Sequence, residues 1–145
     1  MNENILNIYC DGGSRGNPGP ATSAFVVKDS AGKILHQQGF FLGITTNNQA
    51  EYQAVILALN FLSEALRDGG QFTTINLYLD SLLVVNQLSG HFKIKEQNLK
   101  KRYFEIKNYL DQLEKLEIRI IFSYIPRSQN FLADRLVNQI LDNIQ

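Results

Sequence analysis

The order in which apolar periodicity changes along the chain constrains its fold more than any other feature. Strand-like stretches come first: Ile5–Asp11, Ser23–Lys28 and Lys33–Leu42, the last two joined by the hairpin-type turn Asp29-Ser30-Ala31-Gly32. The Gly/Asn/Pro-dense segment Gly12–Pro20 reads as a loop. Asn48–Arg67 then carries Ala50, Ala54, Leu57, Ala58, Phe61, Leu62 and Ala65 at helical spacing. Asn47 or Asn48 is its expected cap, with Glu51 in the first turn and Gly69-Gly70 as the stop. Thr73–Leu79 returns to strand, with Ile75, Leu77 and Leu79 alternating, and Ser81–Leu88 is a short helix stopped by Gly90. Glu96–Leu116 is a long helix with Leu99, Tyr103, Ile106, Leu110 and Leu113 on one face. Glu117–Ile125 is a fifth strand ended by Pro126, and Asn130–Ile144 a closing helix. An early hairpin and later strand–helix–strand returns require antiparallel and parallel pairing together, so the expectation is α/β with a five-stranded mixed sheet.

The 145 residues fit one compact domain, expected over 1–145, and an apolar content of 44% supplies a real core. A formal net charge of +0 gives no global field for nucleic acid, so any such binding must come from local patches. A single cysteine, Cys10, excludes an intrachain disulfide and argues against a cysteine zinc site; a small core residue is its simplest reading. The start has no basic leader, and no apolar stretch is long enough for a membrane span. The expectation is a cytoplasmic monomer with no membrane partner.

Three acidic residues stand singly at element boundaries: Asp11 before Gly12-Gly13, Glu51 at a helix start and Asp80 after Leu79. Asp134 lies in the closing helix. If the strands ending at Asp11 and Asp80 are parallel neighbours, both carboxylates emerge at the sheet edge where open α/β sheets bind ligands. Such a cluster needs positive charge, and hard oxygen donors suit Mg²⁺ or Mn²⁺. Each acid also has a plainer role on its own. Asp11-Gly12-Gly13 can be a turn, Glu51 a dipole-favoured helix charge, Asp80 a helix cap and Asp134 a solvated position. His36 and His91 read as surface residues, and Tyr9, Tyr52 and Tyr78 as core filling or site neighbours.

Four segments in series tip the balance. They are Asp11-Gly12-Gly13-Ser14-Arg15-Gly16-Asn17-Pro18-Gly19-Pro20-Ala21, Thr46-Asn47-Asn48-Gln49-Ala50-Glu51-Tyr52, Leu79-Asp80-Ser81 and Asn130 through Asn138. Together, over nearly the whole chain, they resemble type 1 ribonuclease H. The resemblance implies the ribonuclease H-like fold, with helices on both faces of the sheet. It implies hydrolysis of the RNA strand of an RNA–DNA hybrid with two divalent metals, leaving 5′-phosphate and 3′-hydroxyl ends. By the same resemblance Asp11, Glu51, Asp80 and Asp134 are the metal-binding carboxylates, Asp134 having a looser positioning or product-release role. Asn47 and Asn48 would contact the RNA 2′-hydroxyl and a DNA phosphate, with Thr46 also at the phosphate. Gly12, Gly13 and Ser14 would let the backbone approach the RNA strand.

Two positions depart from the well-known bacterial pattern. Arg127 stands where a histidine is expected; it stays protonated and cannot act as a base, but can neutralise phosphate charge. Leu82 stands where many members carry a glutamine that reads the minor groove. The pattern is similar to the minimal, histidine-lacking branch, some members of which also cut double-stranded RNA. Lys93, Lys95, Lys100 and Lys101 belong to a basic run that serves either as a duplex contact or as a solvated helix face, with no separate handle helix. Rival expectations are a catalytically weak binding module for hybrid or double-stranded RNA, and a related nuclease acting on double-stranded RNA or branched DNA.

Overall fold

The computed structural model describes residues 4–144, so the outermost residues of the expected domain lie outside the described residues. Strands β1 (Ile5–Ser14), β2 (Gly19–Asp29) and β3 (Ile34–Thr45) precede helix α1 (Asn47–Arg67). Strand β4 (Thr74–Leu79), helices α2 (Leu82–Leu88) and α3 (Gln97–Lys115), strand β5 (Arg119–Tyr124), a 3₁₀ turn (Arg127–Gln129) and α4 (Phe131–Asp142) complete it. The sheet order is β3-β2-β1-β4-β5. β1–β2 and β2–β3 pair antiparallel, β1–β4 and β4–β5 parallel, giving the mixed five-stranded sheet expected.

Alternation along β1 decides what lies on each face. Ile8 and Cys10 join Phe25, Val27, Ile75, Leu77 and Leu79 in the main core beneath α1 and α3. Ala24 meets Val137 and Leu141 of α4 on the opposite face. α1 is buried around much of its girth: Tyr52, Val55, Ile56 and Leu59 are inside as well as Ala50, Ala54, Ala58 and Leu62, because sheet and α3 both pack on it. A single apolar stripe therefore understated its burial. Cys10 is enclosed in this core, its Sγ 3.9 Å from the Ala54 carbonyl oxygen. Among the described residues no helix is long and apolar enough to cross a membrane.

Three local expectations are corrected. The loop expected over Gly12–Pro20 shrinks to residues 15–18. Gly12, Gly13 and Ser14 pair with Ser23, Thr22 and Ala21, so the glycines are strand residues and Asp11 lies within β1 rather than at its end. The cap of α1 is Thr46, whose hydroxyl accepts from Gln49 N–H at 3.2 Å; Glu51 consequently falls beyond the first turn. β3 runs on to Thr45 because its ladder with β2 continues past a bulge next to Gly43, which has φ 78°. Glycine-rich, poorly alternating sequence hides such extensions from pattern reading.

Candidate active site

The β1–β4 register builds the site. Its last rung pairs Tyr9 with Tyr78, whose rings stack at 5.0 Å between centroids. Two residues further along each strand direction come Asp11 and Asp80, so parallel pairing delivers both carboxylates to one edge. Glu51 arrives from α1, which is pressed on β1 so closely that a side chain on Gly12 would collide with the Ala50 backbone. Ser23 of β2 fixes the same helix start by donating its hydroxyl to the Ala50 carbonyl at 2.6 Å. One oxygen each from Asp11, Glu51 and Asp80 then lies within 4.8 Å of the others.

These acids are out of water: Asp11 is 3% and Glu51 5% exposed, and the Asp80 side chain 2%. Asp11 Oδ1 and Glu51 Oε2 are buried without a hydrogen-bond partner. Burial pushes the Asp11 carboxyl up to about 7, the charges of Asp80 and Asp134 add to this, and Arg127 opposes it. Glu51 is raised well above the usual carboxylate range by burial and then by Asp11 and Asp80, while the Gly12 N–H works against the shift. Converging carboxylates with orphaned oxygens, destabilised as anions by their setting, fit a divalent cation: it would neutralise them and give the free lone pairs a partner. Asp134 is half-buried and stands outside the close trio, yet near enough for Asp11 to feel its charge.

Around the acids the other expected residues fall into groups. Asn47 Oδ1 accepts from the backbone N–H of Ser14 at 2.8 Å and contacts its hydroxyl at 3.1 Å. A backbone N–H can only donate, so the amide is oriented with its NH₂ left over. Asn17, which the sequence shows only as one member of a motif, accepts from the Asn47 N–H at 2.9 Å and braces it. Thr46 and Asn48 are half-buried at the same helix start. Arg127 reaches Asp80 Oδ1 at 3.8 Å with its side chain 72% exposed, a loose pair open to solvent. His36 stacks on Phe61 at 4.4 Å and His91 is exposed beyond α2; neither joins the acidic trio.

Lys93 and Lys95 are exposed on the connection from α2 to α3, and Lys100 and Lys101 lie in the first turns of α3. No separate handle helix intervenes among the described residues. Arg102 turns inward instead, to Gln53 and Gln49 of α1, and so ties the lysine-bearing helix to the element that carries Glu51. Leu82 is exposed at the start of α2, whose cap is Ser81 rather than Asp80. Asn130, buried at the α4 start, bonds to Asp80 and to the backbone beside Asp11. Sequence reading noted it only as part of a motif; a residue type common at caps gives no sign that its side chain is used elsewhere.

A mixed sheet whose parallel pair presents buried, convergent acids beside a helix-borne third one defines an α/β domain with a candidate divalent-metal site. The RNase H family model matches residues 3–141. A ribonuclease HI from Halobacterium salinarum is 38% identical over 138 residues, 95% of this chain and 65% of that protein. A bifunctional protein of Mycobacterium tuberculosis is 38% identical over 136 residues, 93% of this chain and 35% of that protein. The crystal structure of LC11-RNase H1 in complex with an RNA/DNA hybrid superposes with a TM-score of 0.84 at 39% identity, covering 92% of this chain and 94% of that one. The chain belongs to the ribonuclease H family. It spans less than two thirds of the length of the Halobacterium and Mycobacterium relatives.

Proposed function

We propose that this protein is an endonuclease that hydrolyses the RNA strand of RNA–DNA hybrids in a divalent-metal-dependent reaction, leaving 5′-phosphate and 3′-hydroxyl ends. The observation that carries the reading is the buried trio of Asp11, Glu51 and Asp80, its ligand oxygens within 4.8 Å of one another. Family membership and the hybrid complex of LC11-RNase H1 support it.

Asp11, Glu51 and Asp80 would hold two Mg²⁺ or Mn²⁺ ions, with Asp134 assisting from the half-buried rim. When bound, such ions supply Lewis-acid stabilisation of the charge that develops on the phosphate oxygens. The remaining roles belong to the chain. Asn47 offers N–H donors to a ribose 2′-hydroxyl, its carbonyl oxygen being occupied by Ser14. The Gly12-Gly13-Ser14 backbone would run beside the RNA strand, and Thr46 and Asn48 place a DNA phosphate at the α1 start. Arg127 is exposed enough to move from Asp80 to the scissile phosphate as a fixed positive charge. Lys93, Lys95, Lys100 and Lys101 supply sequence-independent phosphate contacts.

The test is a cleavage panel with Mg²⁺ or Mn²⁺ against a hybrid, a DNA duplex and an RNA duplex. Metal-dependent cutting of RNA in the hybrid is expected; an uncut hybrid across both metals would end the proposal. Cutting of the RNA duplex as well would extend the substrate range to double-stranded RNA.

A further inference from the structure

We infer that Asn130 is a positioning residue: its side-chain amide fixes Asp80 against β1 and so sets the spacing at which Asp80 and Asp11 meet a cation. The inference rests on the metal-dependent reading above. An asparagine at a helix start ordinarily accepts from the helix's own first N–H groups. Asn130 makes no such bond with α4. Its Nδ2 donates twice instead, at 2.9 Å to the Cys10 carbonyl oxygen and at 2.9 Å to Asp80 Oδ2. Both amide hydrogens are thereby consumed.

Those two acceptors lie beyond the last rung of the β1–β4 ladder, Tyr9 with Tyr78. Cys10 immediately precedes Asp11, and Asp80 immediately follows β4. One amide therefore takes over from the ladder where the strands part, and it does so between the two acids. At 1% exposure, water does not compete for either bond. Pinning Oδ2 restricts rotation of the Asp80 carboxylate and leaves Oδ1, the oxygen that faces Arg127, to serve an ion. The Asn130 backbone carbonyl also accepts from Asp134 N–H at 3.1 Å, so the fourth acid is built on the same residue.

The test compares the wild-type chain with Asn130→Ala and Asn130→Ser above pH 7. Mn²⁺ affinity is measured by calorimetry without nucleic acid, alongside thermal melts without metal. Asn130→Ala should weaken Mn²⁺ binding by about 10–100-fold, the usual effect of losing a group that orients a metal ligand. Asn130→Ser, which keeps one donor, should recover part of it. In cleavage assays kcat should fall at limiting Mn²⁺ and return as Mn²⁺ is raised, with KM for the hybrid unchanged. A folded Asn130→Ala whose Mn²⁺ affinity stays within about twofold of wild type overturns the inference. If Asn130→Ala does not fold, Asn130→Ser decides on the same criterion. Loss of folding in both means the amide serves the fold alone, which also overturns it. Failure of the underlying reading looks different: the wild type itself binds no Mn²⁺.

Discussion

Gly12 and Ala50 meet backbone to backbone. A Cβ on Gly12 would stand 2.2 Å from the Ala50 carbonyl carbon and 2.4 Å from the nitrogen of Glu51. Neither atom can swing away as a side chain could, so a methyl group there must push α1 off β1. Gly12→Ala is expected to cost at least about 1–3 kcal/mol, lowering Tm by roughly 3–12 °C, and to displace Glu51 from Asp11. Urea unfolding and metal-dependent cleavage check both parts; a wild-type midpoint would contradict the contact.

Asp11→Asn should abolish turnover while hybrid binding stays largely intact, because a cation ligand is lost but the duplex surface is not. The same change should make the metal-free protein more stable at neutral pH, since a buried charge is removed. Cleavage, hybrid titration and metal-free melts measure the three effects separately. Hybrid binding lost together with folding would make Asp11 a structural residue.

The raised Asp11 carboxyl fixes the sign of a pH effect. The folded state holds this proton up to about pH 7, whereas the unfolded chain releases it near about pH 4. Metal-free stability attributable to Asp11 therefore declines as pH rises between those values and is level above them. The stability gap between Asp11→Asn and wild type should accordingly widen across that window, by on the order of a few kcal/mol. Mn²⁺ must displace this proton and the one on Glu51, so its affinity should climb with pH through about 7, with proton uptake by buffer detectable in calorimetry. A flat affinity profile would contradict the assignment.

Lys93 and Lys95 are exposed, and no ion pair involves either among the described residues. If they meet phosphates, Lys93→Ala and Lys95→Ala should each weaken hybrid binding without regard to base sequence. Each should also reduce the slope of log affinity against log salt by about 1. An unchanged slope would return these lysines to the role of a solvated face.

His36 is stacked on Phe61, and His91 lies beyond α2. His36→Gln and His91→Gln should leave the shape of the cleavage pH profile unchanged. Loss of a titrating limb in either variant would place that histidine in the reaction.

Much of this was legible in the sequence, for identifiable reasons. Strands such as Ile75-Asn76-Leu77-Tyr78-Leu79 alternate cleanly because one face is sealed in the core, and all three of their core residues are fully buried. Asp11 and Asp80 could be paired in advance because parallel neighbours run the same way, and each acid lies two residues past the last shared rung, Tyr9 with Tyr78, although β1 itself runs on to Ser14. What stayed hidden depends on long-range contact. Gly12 looks like a turn residue locally, and only α1 pressing on β1 makes a glycine necessary there within a strand. Thr46 and the asparagines after it are comparable caps by type; the Ser14 and Asn17 bonds to Asn47 take that residue out of contention. Asn130 acts between residues 50 and more than 100 positions away, beyond any window of periodicity.

Cys10 is the chain's sole cysteine, wholly enclosed, and burial pushes its thiol well above the usual range. Alkylating and maleimide reagents attack the thiolate, and here they find neither the ionised form nor a path to it. The natural sequence is thus already a silent background for single-dye labelling. A cysteine introduced at an exposed site would be the one to react, and fluorescence could follow duplex engagement without first stripping native thiols.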